Sequence, residues 1–444
     1  EIGSGLVGSE MCIRDRVSTL LLGCSSNKKQ GVISSQLGIP VINLFESIST
    51  VSSLSLSEAI EKLDIVPLEM TDQSMLGEIR RIQVTEHDIW IHDFNKFYIY
   101  RFSRTGKFLN RIGSIGQAPG EYVNFSTFLV DEYKEEIYIV SNNNGILVYN
   151  FKGEFKKKIV DQQIINNLFS SVYSQYVLHN GKFFATQNIA LYKLIDKDSL
   201  WSFAFLDTAF QEKKLFKNPA HIGREEQIIA NCADQGRMIN LWMECQTSIN
   251  TYNNQLTLKY PDTDTIYYYD DATNELLPQY VICTGEEKGD YEVTHLWFKE
   301  RKAFDYFSII SYYPTKDFIY LVGSKGDKIY TYCYNKQNGA MRLQIKQGEI
   351  NERKMPWFSF PLRQMERPFV LYNDFCGSDF TVDNHSVGKY WVDILEPNNE
   401  ENWIDIDQVK ASTVIDRSKK DELIRVLENV NEDSNPILLI ATLK

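Results

Sequence analysis

Between Ile89 and Ile159 the chain writes one hydrophobic pattern twice. Ile89-Trp-Ile-His-Asp93 runs into Phe97-Tyr-Ile-Tyr-Arg-Phe-Ser-Arg-Thr-Gly-Lys-Phe108, and Ile137-Tyr-Ile-Val-Ser141 runs into Ile146-Leu-Val-Tyr-Asn-Phe-Lys-Gly-Glu-Phe155. Each copy is a short aromatic and β-branched strand, a turn, a second strand and a hairpin centred on glycine. Such side chains fit a pleated, half-buried surface. The copies lie about 48 residues apart, and a four-stranded antiparallel sheet repeated at that period predicts a β-propeller. Weaker pairs follow: Lys182–Ala185 with Trp201–Leu206, Leu256–Tyr260 with Thr265–Tyr269 and Gln279–Ile282, Phe318–Val322 with Lys328–Tyr332, and a last unit from Asp379 to about Ile394. Six units fill the chain, so the expected class is all-β, a six-bladed propeller with short helices near the termini.

The ends of the pattern predict how the ring closes. Ser57–Leu63 has helical spacing and Ile65–Met70 reads as an entry strand. Near the other end, Ser418-Lys-Lys-Asp421 has the form of a capping box, with Leu423, Val426, Leu427 and Val430 following at helical spacing. Ile437–Leu443 is apolar on both faces, as a strand inside a sheet is. Pairing it with the entry strand joins both chain ends in one blade and removes an open edge.

Residues 1–16 are set aside: Met11-Cys-Ile-Arg-Asp-Arg16 is what a sequencing-library transposon adapter encodes when translated, and a translated adapter has no part in the fold. Residues 17–23 read as the remnant of a lipoprotein signal peptide. Leu21-Leu22-Gly23-Cys24 resembles a lipobox, with the Cys24 thiol as the acyl acceptor, and the run before it is too short to span a bilayer. Residues 24–50 are expected to be a lipidated tether and 51–444 the propeller. Ser25 and Ser26, in place of an inner-membrane retention aspartate, favour the outer membrane; without an acidic export signal the expected orientation is towards the periplasm. The membrane is then met through the lipid anchor alone, and the domain is expected to be monomeric.

Composition narrows the partners. The formal charge of −12 and pI near 5.2 argue against nucleic acid, whose phosphates require clustered Lys and Arg. Lys156–Lys158 reads as a solvated strand face. Apart from Cys12 and Cys24, the cysteines are Cys232, Cys245, Cys283, Cys333 and Cys376, with no C-x-x-C pair for zinc or redox chemistry. They read as buried thiols, with one candidate bridge between Cys232 and Cys245.

Gly116-Gln-Ala-Pro-Gly-Glu-Tyr122, the following strands, Val66-Pro-Leu-Glu69, Asp264-Thr-Ile-Tyr-Tyr268 and Asn435-Pro-Ile-Leu438 resemble a family of six-bladed β-propeller lipoproteins abundant in Bacteroidetes, with an architecture related to NHL repeats. The resemblance covers roughly residues 60–444. It implies a six-bladed fold, an envelope location and, for most members, no established activity. Its motifs carry no catalytic residues across.

The residues themselves offer few chemical candidates. The six histidines form no compact metal-ligand spacing, so no metal and no cofactor is expected and a catalytic set is unknown. If inner strand ends line a central channel, His92 and Asp93 in the first copy and Asn142 and Asn143 in the second are candidate ligand contacts, although Asn142-Asn-Asn-Gly145 also reads as turn chemistry. Trp357 is a candidate stacking platform for a sugar, or a packing residue between blades. The leading expectation is an envelope-anchored binding or scaffold propeller for a glycan, a peptide or another envelope protein. The alternative is a channel-sited, metal-dependent hydrolase or lyase.

Overall fold

The structure is a computed structural model describing residues 38–46, 48–141, 145–159, 176–186, 201–227, 247–260, 263–285, 306–325, 328–347, 369–383, 388–397, 399 and 403–444. Three strands come first: β1 (Val41–Asn43), β2 (Ile48–Val51) and β3 (Ile60–Pro67). Five four-stranded antiparallel units follow in chain order. Sheet 1 holds β4 (Ile79–Val84), β5 (Asp88–Asp93), β6 (Tyr98–Ser103) and β7 (Phe108–Ile112). Sheet 2 holds β8 (Phe125–Asp131), β9 (Glu136–Ser141), β10 (Gly145–Asn150) and β11 (Phe155–Ile159), and sheet 3 holds β12 (Tyr176–His179), β13 (Lys182–Thr186), β14 (Phe203–Leu206) and β15 (Glu212–Phe216). Sheet 4 contains β16 (Ser248–Tyr252), β17 (Gln255–Lys259), β18 (Thr265–Asp270) and β19 (Glu275–Cys283). Sheet 5 contains β20 (Ser308–Pro314), β21 (Phe318–Lys325), β22 (Lys328–Asn335) and β23 (Met341–Gln347). The sixth unit combines the hairpin β24 (Phe369–Asn373) and β25 (Ser378–Val382) with β26 (Tyr390–Leu395), β27 (Ile437–Leu443) and β3. Helices α1 (Ile406–Ala411) and α2 (Arg417–Leu427) lie between β26 and β27.

Six apolar clusters show that the units form a closed ring, because each is shared by two consecutive sheets. Trp90 and Ile99 of sheet 1 meet Phe128, Ile137 and Tyr149 of sheet 2. Tyr138 and Val140 meet Phe183 and Ala185 of sheet 3, and Phe184 and Phe203 then meet Leu258 and Tyr269 of sheet 4. Ile266 and Ile282 pack on Tyr312, Ile319 and Leu321 of sheet 5, and Tyr313 and Tyr320 pack on Phe369 and Trp391 of the sixth unit. The sixth cluster returns to the start, with Val66, Val392, Leu438 and Ile440 against Ile82, Ile91 and Phe102. This is a six-bladed propeller, as the period and unit count predict.

The opening repeat has a physical reason at its glycines. Gly106 and Gly153 close equivalent hairpins with φ of 83° and 86°, and a Cβ at either would lie 2.1 Å from the Pro67 carbonyl oxygen or 2.5 Å from that of Arg111. In both copies glycine supplies the left-handed turn and lets it press against the preceding sheet. Arg101 bolts the same seam: it donates to the Phe151 carbonyl at 3.0 Å and to Asp88 at 2.8 Å, with its guanidinium over the rings of Trp90 and Phe151.

Ring closure follows the sequence expectation. β27 lies between β26 and β3 and pairs antiparallel with both, with Leu439 opposite Asp393 on one side and Ile65 on the other. Every residue of β27 is buried, as its doubly apolar sequence requires. Three boundary expectations need correction. Ser57–Leu63 is no helix: a single 3-10 turn over Leu56–Glu58 leads into β3, which starts at Ile60, and Leu56, Ile60 and Leu63 share one core cluster. The cap of α2 is Asp416, not Ser418; its carboxylate accepts the Ser418 and Lys419 N–H groups at 2.9 and 3.1 Å. The tether expected over residues 24–50 is part of the sheets from Val41. There β1 runs parallel to β19 and β2 parallel to β23, each as a fifth strand, with Ile42 and Leu44 fully buried.

Cys283, Cys333 and Cys376 carry free thiols; Cys232 and Cys245 lie outside the described residues. The closing sheet can be tested at both of its strands. Removing Pro436–Lys444 abolishes the cooperative thermal transition, and Leu439→Ala lowers stability by about 2–5 kcal/mol in urea denaturation, the cost of a core cavity. Asp393, on β26, has its carboxyl pushed up to about 7 by burial, against the pull of the Thr381 and Ile394 N–H groups and with Asp383 and Asp379 adding to the rise. The native state therefore keeps this proton after the unfolded chain has lost it near 3.8. Its stabilising contribution is complete at low pH and is lost as pH rises towards 7. Asp393→Asn should remove that fall, read as the difference between wild-type and variant urea midpoints across pH 4 to 8.

Candidate functional site

His92 and Asp93 end the strand β5, which is buried along its whole length. The His92 ring stacks on Phe125 of sheet 2, with centroids 4.1 Å apart, and is only 1% exposed. Asp93 is fully buried and accepts the Gly77 N–H at 2.7 Å and the Lys96 N–H at 3.0 Å. The two residues expected as ligand contacts therefore serve the seam between sheets 1 and 2 and the β5–β6 turn. The equivalent residue of the second copy, Ser141, donates to the Asn124 carbonyl at 3.0 Å. Asn142, Asn143, Trp357 and Cys24 lie outside the described residues.

The Pro-Gly-Glu-Tyr loop is likewise structural. Tyr122 is fully buried and donates to the Ile112 carbonyl at 3.1 Å. The Glu121 carboxylate turns back to accept the Ala118 N–H at 2.9 Å, and Tyr149 reaches the Gly120 carbonyl at 2.6 Å. The motif fastens the link from sheet 1 to sheet 2.

A cavity that the sequence does not announce lies between sheets 4 and 5. It offers about 40 Å³ to water-sized groups, and its lining includes Tyr252, Gln255, Gln279, Tyr280, Ile266, Ile319, Pro314 and Lys336. Local chain geometry places these side chains. Asn253 and Asn254 both take positive φ, of 47° and 57°, and form the two-residue turn that sets Tyr252 opposite Gln255. Across the cavity, Asn335 holds the β22–β23 hairpin by accepting the Gln337 and Asn338 N–H groups, and the Lys336 N–H donates to the Asp317 carbonyl at 2.9 Å. The floor is cross-tied: the Tyr312 hydroxyl bonds Thr257 at 2.8 Å, and Asn250 donates to the Tyr312 carbonyl at 2.9 Å.

The cavity wall is amphipathic. Gln279 donates to the Gln255 side-chain oxygen at 2.7 Å, and the Tyr252 hydroxyl donates to the Lys444 backbone oxygen. The Lys336 ammonium donates to the Thr315 carbonyl and sits 5.9 Å from the centre of the Tyr252 ring. Burial pulls the Lys336 pKa down, with Asp317 opposing the shift. The Tyr252 and Tyr280 hydroxyls are pushed up, chiefly by burial. A desolvated cation, amides and phenols above an aliphatic floor can bind a small polar group; they are not arranged as a nucleophile and base. Among the described residues, no group of three or more His, Cys, Asp or Glu side chains is placed to hold a metal ion. No described helix is long and apolar enough to cross a membrane, which says nothing of β-barrels.

The fold defines the chain as a six-bladed β-propeller. It belongs to the family described as "Domain of unknown function (DUF4934)", matched over residues 39–442. No curated protein matches it. Among solved structures, it is similar to the Bacteroides fragilis protein BF0058, whose name assigns it to export: 18% identity, 91% of this chain and 99% of that one covered, TM-score 0.58. A member of the DUF4221 family from Bacteroides vulgatus has 11% identity, 87% and 97% coverage and a TM-score of 0.43. The extracellular domain of the BT4673 hybrid two-component system from B. thetaiotaomicron has 12% identity, with 71% of this chain and 34% of that one covered, and a TM-score of 0.36. At 18% identity, the first of these likenesses speaks to the fold.

The geometry gives Asp93 a part in the frame. Asp93→Ala should therefore cost about 1–3 kcal/mol of stability, by stranding the Gly77 and Lys96 N–H groups. Urea denaturation measures the loss, and an unchanged midpoint would contradict the assignment.

Proposed function

We propose that this chain is an exported lipoprotein, held at the outer membrane through an acylated Cys24 and facing the periplasm, whose NHL-like propeller is a monomeric binding or scaffold module for an envelope protein, a peptide or a glycan. Three features support the reading. The lipobox-like Leu21-Leu22-Gly23-Cys24 follows an apolar run. The fold is that of BF0058, whose name assigns it to export. The observation that carries the binding role is the cavity between sheets 4 and 5, where a desolvated lysine and an amide pair face an aliphatic floor.

Rigid sheets on both sides hold these groups in place before a ligand arrives, which reduces the ordering cost of binding. A single small cavity cannot define a whole partner. It suits one projecting polar group of a larger molecule, with the surrounding hairpins contacting the rest.

The anchor is tested by metabolic labelling with a palmitate analogue in the native host. The wild-type chain is expected to take up label and sediment with membranes, whereas Cys24→Ser loses label and is released. Equal labelling of both would overturn the lipoprotein reading. Crosslinking of the wild-type chain in intact cells tests the binding role, with one discrete adduct expected and its loss on changing the cavity wall.

A further inference from the structure

We infer that the cavity between sheets 4 and 5 is a carboxylate site, with Lys336 as the counter-charge; this rests on the binding reading above and names the chemistry of its ligand. Lys336 is partly withdrawn from water, yet its partners are a neutral carbonyl, that of Thr315, and the face of Tyr252. Asp317, the acid whose field reaches it, engages the Gln337 side-chain amide through Oδ1 at 3.0 Å. Among the described residues no carboxylate lies within ion-pair distance of the Lys336 ammonium. A partly buried ammonium without an anion loses hydration that no counter-charge replaces, and an incoming anion offsets that loss.

The cavity, with about 40 Å³ open to water-sized groups, admits a small polar group such as a carboxylate. Donors are at hand for it. The Gln255–Gln279 pair uses one amide N–H in its mutual bond and retains others for the second carboxylate oxygen. Ile266, Ile319 and Pro314 line the same cavity, and apolar walls strengthen a charge-assisted hydrogen bond.

A carboxylate reaches an envelope propeller from an acidic sugar or from an acidic peptide side chain. The two are separated by titrating the folded protein with D-glucuronate and with N-acetyl-glutamate amide, alongside the neutral analogues D-glucose and N-acetyl-glutamine amide. Carbon-13 shifts of the Lys336 ε-methylene report the lysine directly. The acids are expected to bind, to raise the Lys336 pKa and to lose about tenfold or more in affinity in Lys336→Met, with Lys336→Arg retaining most of it. The tighter of the two acids identifies the source. Neutral analogues binding as well as the acids would overturn the carboxylate assignment and leave the binding role standing. Failure of all four ligands to shift the Lys336 signals at tens of millimolar would overturn the site itself. Should Lys336→Met fail to fold, the wild-type pKa shift and the arginine variant still decide.

Discussion

The ladder between β27 and β3 is the constraint on which the ring depends. Five sheets pack in sequence along the chain, but the sixth interface exists only when the last strand has been laid beside one from the start. Leu438 and Ile440 face sheet 1, while Ile437, Leu439 and Ala441 face the core that holds Trp391 and α2. One strand therefore supplies apolar surface to both neighbours, and its backbone bonds both β26 and β3. Propellers otherwise leave a first and a last edge to solvent; joining the chain ends removes that liability. It also places the contact that completes the ring between residues nearly a full chain apart, where loop closure costs the most entropy.

Architecture is legible in the sequence because its determinants are local and repeated. The aromatic strands, the hairpin glycines at 106 and 153, and the unbroken apolar run at 437–443 each have one low-energy structural solution. The boundaries are less so. Ser57–Leu63 has helical spacing, but Ile60 and Leu63 serve a strand at the seam between sheets. Val41-Ile-Asn43 is too short to announce itself as a strand, and only the waiting edge of β19 makes it one. The cap at Asp416 is hidden behind a serine two residues later, because both residue types cap helices and sequence spacing alone does not rank them.

The site is less legible than the fold, for a physical reason. His92 and Asp93 stand out as polar residues at a strand end, but the same position suits a side chain that ties down a turn, as Asp93 does, or one that stacks at a seam, as His92 does. The cavity residues come from five separated segments, around 252–257, 266, 279–280, 312–319 and 336. No spacing rule connects them, and each reads alone as an ordinary strand or hairpin residue. A weak signal is present in Lys336, a lysine inside a hairpin among tyrosines, but it acquires meaning only when sheet 4 is placed against it.

The N-terminal strap has a mechanical consequence. Residues 41–67 lie along three successive units, with β1 on sheet 4, β2 on sheet 5 and β3 in the sixth. A pull applied ahead of Val41 meets three clamps in series, the first a three-residue parallel ladder and the last a long strand locked against β27. Load thus reaches β1 first and β3, in the unit that shuts the ring, last. The strand that holds the ring shut is the farthest of the three from a force applied on the N-terminal side.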